Sequence, residues 1–82
     1  MSNQNLLNRI TFNSKVLAGK PIIRGLRISV AMILELLAKG STKEEILEDY
    51  PDLEIEDIQA VLYYAYKLVD KEEIVEKISV SN

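Results

Sequence analysis

The sequence contains no cysteine and no histidine among its 82 residues. The first absence excludes a disulfide framework and thiolate chemistry, and the second removes the commonest metal ligand and general base. Most catalytic mechanisms go with them. Long apolar runs are also missing, since none approaches the roughly 20 residues that a membrane helix needs. The opening Met-Ser-Asn-Gln-Asn has neither the basic segment nor the apolar stretch of a secretory leader, so the expectation is a cytoplasmic chain with no membrane partner. An apolar fraction of 48% is ordinary for a globular domain. A chain of this length buries only about 60% of its unfolded surface, which makes association with a second subunit a reasonable expectation.

Charge is unevenly spread. Residues 1–40 carry six cations (Arg9, Lys15, Lys20, Arg24, Arg27, Lys39) against the single carboxylate of Glu35, a net of +5. Residues 41–82 carry four lysines against twelve carboxylates, a net of -8. The first half suits phosphates, whereas the second suits a basic protein and repels nucleic acid.

The chain is organised around the stretch from Gly19 to Gly40, a basic, tightly turned lead-in that feeds a short apolar helix. Before it, residues 1–8 lack periodicity and are expected to be a disordered tail. Arg9 to Phe12 alternates polar and apolar in the manner of a half-buried strand, and the expected partner is the second β-rich run, Leu26 to Val30. That pairing can lie within one chain or be exchanged between two, which makes Ile10, Phe12, Leu26 and Ile28 candidate interface residues. Ser29 is a suitable N-cap for a helix from Val30 to Lys39, closed by Gly40. Ser41 with Glu44, or Thr42 with Glu45, can form the capping box of a second helix that Pro51 ends.

A third helix is expected from about Ile55 to Val69. Its apolar face groups Ile58, Val61, Leu62, Ala65, Leu68 and Val69, with Tyr63 nearly opposite beside Ala60 and Lys67. Tyr63, Tyr64 and Tyr66 exceed what two short helices can cover, and they join the candidate dimer or partner interface. Residues 71–82 form a C-terminal extension without a clear pattern. The fold class is therefore mainly α: a short N-terminal β element and a three-helix, helix-turn-helix-like domain over residues 9–70. Glu54, Glu56 and Asp57 at the start of the third helix suit the helix dipole but not a DNA groove. Phosphate contacts are instead expected from Lys15, Lys20, Arg24 and Arg27.

Gly19-Lys20-Pro21-Ile22-Ile23-Arg24-Gly25-Leu26-Arg27-Ile28, a helix ending at Gly40, Glu44 to Pro51 and Glu56-Asp57-Ile58 together closely resemble the family of domain of unknown function 433 over about residues 9 to 66. That family is grouped with helix-turn-helix domains and with VapB-like antitoxins. The resemblance implies an antitoxin-like module that neutralises a basic, PIN-like ribonuclease toxin and contacts operator DNA. Three positions depart from the family pattern: Leu26 replaces a polar residue, Ser29 replaces a helix-starting proline, and Glu54 replaces an N-cap threonine. The different-class alternative is a homodimeric protein-interaction module without DNA binding. No enzyme is expected, because no nucleophile has a base to activate it and Gly19-Lys20 lacks the rest of a phosphate-binding loop. The acidic clusters Glu44/Glu45/Glu48/Asp49 and Glu54/Glu56/Asp57 read as solvated faces, so no metal or cofactor is expected.

Overall fold

The computed structural model describes residues 3–70. Among them the order is α1 (Asn3–Leu7), β1 (Ile10–Thr11), β2 (Ile22–Ile23), α2 (Val30–Ala38), α3 (Lys43–Asp49) and α4 (Ile55–Val69). The molecule is mainly helical, with one two-stranded antiparallel sheet. The C-terminal extension expected over residues 71–82 lies outside the described residues.

The helix signals act locally and appear where the sequence puts them. Ser29 Oγ accepts from the Met32 N–H at 3.0 Å and starts α2. Gly40, at φ +99°, lets the chain leave that helix, with its N–H on the Leu37 carbonyl and the Ser41 N–H on that of Leu36. Of the two possible capping boxes the chain uses Thr42 with Glu45: the Glu45 N–H reaches Thr42 Oγ1 at 3.1 Å, and the Thr42 N–H reaches Glu45 Oε1 at 2.7 Å. Glu35 and Lys39 pair at 3.1 Å on the exposed side of α2.

Three expectations are corrected. The partner of β1 is Ile22–Ile23 of the same chain, with Ile10 opposite Ile23 and Thr11 opposite Ile22. The run Leu26 to Val30 instead folds back on β2, bridging Ile22 through Ser29. The cause is a tight turn in which Arg24 and Gly25 both take positive φ (46° and 73°) and the Leu26 N–H returns to the Ile23 carbonyl at 2.8 Å. The tail is also ordered in part: α1 lies against α4, and Leu6 packs on the core. Finally, the face α4 buries is centred on Asp57, Ile58, Ala60 and Val61, while Leu62, Leu68 and Val69 are exposed.

The core is built largely from isoleucine. Ile10, Ile23, Ile33, Ile46 and Ile58 join Val30, Leu53, Ala60 and Val61. Burying a valine, leucine or isoleucine side chain contributes about 1.5–3 kcal/mol relative to exposure, so eight such residues and one alanine are a thin reserve. The fully buried residues of α4 all lie in its first half, and Tyr64 packs against the core from the second.

Candidate functional site

Asp57 is the one charged residue in the core of the described residues, and it is fully buried. Three elements meet on it. From the β2 turn, Arg24 presents Nε at 3.0 Å from Oδ1 and Nη2 at 2.8 Å from Oδ2, a two-pronged grip. From the residue before β1, Arg9 Nη1 donates to Oδ1 at 2.9 Å and to Glu54 Oε1 at 2.7 Å. From the start of α4 itself, the Glu54 N–H donates to Oδ2 at 2.8 Å. Arg24 Nη2 also caps the Asp52 carbonyl at 2.7 Å. Burial by itself raises the Asp57 carboxyl, but the Arg24 hydrogen bonds, the Glu54 N–H and Arg9 together outweigh it and hold the group below the usual carboxylate range. No buried side-chain polar atom is left without a partner among the described residues.

This clamp decides what Arg24 does. Its backbone sits in the left-handed region that non-glycine residues avoid, and its guanidinium is committed to Asp57. The other cations of the lead-in behave differently. Lys15, Lys20 and Arg27 are exposed and form no ion pair among the described residues.

Lys20 and Arg27 line one open cleft of about 500 Å³ together with Leu17, Ala18, Ser29 and Met32. No carboxylate lines it. Two features shape the cleft. The first turn of α2 forms part of its wall through Ser29 and Met32, bringing the positive end of the helix dipole beside both cations. Its other side is a left-handed turn in which Leu17, Ala18 and Gly19 take φ of 50°, 57° and 78° in succession. For L-residues that conformation costs roughly 1–2 kcal/mol each. Such strain concentrates where a loop must present a particular surface. The sequence hints only at Gly19, since leucine and alanine carry no signal for a positive φ.

The expected interface residues separate into two groups. Ile10 is a core residue, and Leu26 and Ile28 are half-buried against the same core. Phe12 and Tyr66 are 61% and 55% exposed. The Phe12 ring lies 6.4 Å from that of Tyr64, and the Tyr63 ring 5.8 Å from that of Tyr66. Among the described residues no group of three or more His, Cys, Asp or Glu is placed to hold a metal ion, and no helix is long and apolar enough to cross a membrane.

Comparison with known proteins assigns this arrangement to a family. Residues 10–65 match the family described as "Protein of unknown function (DUF433)". The chain belongs to that family. It is 34% identical over 56 residues to the uncharacterized protein y4eO of Sinorhizobium fredii, a match that covers 68% of this chain. The matched stretch spans only 25% of that relative. The crystal structure of a DUF433 member from Anabaena variabilis superposes with a TM-score of 0.71 at 32% identity, covering 93% of this chain and 73% of that one.

Proposed function

We propose that this chain is a non-enzymatic, antitoxin-like regulator that seats nucleic-acid phosphates in the cleft between Lys20 and Arg27. The observation that carries the reading is the cleft itself: two exposed cations, the start of α2 and a strained left-handed turn on one surface, with no carboxylate among the lining residues. Backbone phosphate is the anion such a surface suits, because it rewards several cations at once and needs no base-specific chemistry. In this reading α3 and α4 form a helix-turn-helix-like pair without a groove-reading role for α4, whose first turn carries Glu56 and Asp57. The exposed carboxylates of α3 (Glu44, Glu45, Glu48 and Asp49) then face a basic partner of the toxin type, in line with the charge split of the sequence.

The test is titration of the duplex upstream of the chain's own reading frame, at two salt concentrations, with the native chain and with Lys20→Ala/Arg27→Ala. The native chain should bind and lose affinity as salt rises. Equal binding by the double variant would end the reading. A second reading, a homodimeric protein-interaction module without DNA binding, is favoured by the apolar residues that α4 leaves exposed.

A further inference from the structure

The helix α4 has two apolar faces. One enters the core through Ile58, Ala60 and Val61. Ile55, Gln59, Leu62, Tyr66 and Val69 lie together beside that face, all exposed. At about 100° per residue these five fall within an arc of about 80°, whose centre is roughly 125° from that of the buried set, with Ile58 next to its edge. Their spacing is four, three, four, three. That is the repeat of a helix-pairing seam, with Ile55, Leu62 and Val69 at one alternating position and Gln59 and Tyr66 at the other. It runs for about 21 Å, nearly the whole helix.

We propose that this seam packs against the same seam of a second copy of the chain, antiparallel, with the twofold axis passing beside Leu62. Charge selects both the occupant and the direction. Glu56 and Lys67 flank the seam on one side, six residues before Leu62 and five after it. An antiparallel copy brings Glu56 level with Lys67 of the other chain, twice over by symmetry. A parallel copy would place this flank on opposite sides of the seam in the two chains, so that Glu56 and Lys67 would gain no partner from each other. The antiparallel register also opposes the helix dipoles. It sets Ile55 against Val69 and the Gln59 amide against the Tyr66 ring, where a polar group fixes register. At the ends, Asp70 comes level with Glu54, whose carboxylate Arg9 already holds at 2.7 Å. The seam is short, so the expected dissociation constant is micromolar, on the order of 1–100 µM.

This inference deepens the second reading above and does not depend on nucleic acid. A dimer indifferent to DNA leaves it intact, whereas a monomer that binds DNA overturns it alone. Sedimentation velocity of the full chain, run from about 1 µM to about 300 µM, should show a reversible dimer. Leu62→Glu should weaken it by at least about 30-fold, because two carboxylates then meet at the axis. Leu62 is 41% exposed in the single chain, so the far-ultraviolet circular dichroism of the variant should stay native. Glu56→Lys and Lys67→Glu should each weaken the dimer by about three- to tenfold, and the double exchange should restore it. A monomer throughout would overturn the proposal and leave the seam to another protein. A dimer insensitive to Leu62→Glu, or single exchanges with no effect, would equally overturn it. The exchange pair stands as a test even if Leu62→Glu does not fold.

Discussion

Arg24 and Arg27 lie three residues apart in one basic stretch and meet opposite fates. Arg24 is drawn inward to a fully buried carboxylate, while Arg27 stays in solvent beside Lys20. The residue type is the same, but the surroundings differ. One arginine finds Asp57 within reach of a tight turn, and the other finds a helix start and no counter-charge. A count of cations cannot separate the two, so a charge map drawn from sequence overstates the surface available to phosphate. The clamp and the cleft are therefore to be tested as two devices, one for stability and one for binding.

Removing the buried carboxylate should have the largest effect. Asp57→Ala leaves Arg24 with only the Asp52 carbonyl, frees Arg9 from half its bonds and leaves the Glu54 N–H without its acceptor. A loss of about 3 kcal/mol is expected, toward the lower end for a broken buried pair because the arginines can turn to water. That is a large part of the roughly 5 kcal/mol available to a small domain. Urea denaturation should show a lower midpoint with little change in slope.

Arg24→Ala should follow at about 2 kcal/mol, because Arg9 still neutralises Asp57 and the lost guanidinium was partly hydrated. Arg24→Gly sharpens the comparison. Both variants lose the ion pair, but only glycine accepts φ +46° without steric cost, so the glycine variant should be the more stable by about 1 kcal/mol. Equal stabilities would mean that the turn relaxes and stores no strain.

Acid should attack the same clamp. The Asp57 carboxyl titrates lower in the folded chain than in the unfolded one, so between the two values the unfolded state binds the extra proton. Its contribution is complete above the unfolded value of about 4 and is lost as pH falls below that through the folded value. The denaturation midpoint of the native chain should therefore drop on acidification below about pH 4, and that of Asp57→Asn should drop less.

How much of the molecule is legible in its sequence follows from how far each signal reaches. Ser29, Gly40 and the Thr42–Glu45 pair act within a turn or so of chain, and each cap forms where the local pattern puts it. The partner of β1 depends on a turn that places a non-glycine residue at positive φ, for which Arg24 gives no advance sign. The clamp is more distant still, joining Arg9 and Arg24 to Asp57 across 48 and 33 positions. In the sequence, Asp57 therefore reads as an ordinary helix-start carboxylate. For α4 the helical period is correct and its phase is correct in part. Ile58 and Val61 are buried as their spacing puts them, but Leu62, Leu68 and Val69, which count toward the same face, are exposed, and Ala60, which counts toward the far side, is buried. The family, by contrast, is legible from its motif blocks, because the turns and caps it shares are local.

The smallest effect on stability should come from the cleft. Lys20→Ala and Arg27→Ala remove exposed groups that form no ion pair among the described residues, so each should shift stability by less than about 0.5 kcal/mol. Their effect should instead appear in binding. Removing one phosphate-binding cation lowers the slope of log affinity against log salt by about one, and removing both lowers it by about two. Arg24→Gly, measured alongside at a temperature where it remains folded, should leave that slope unchanged, because its guanidinium already serves Asp57. If Arg24→Gly flattens the salt dependence as much as Arg27→Ala does, the two arginines share one function and the division between clamp and cleft fails.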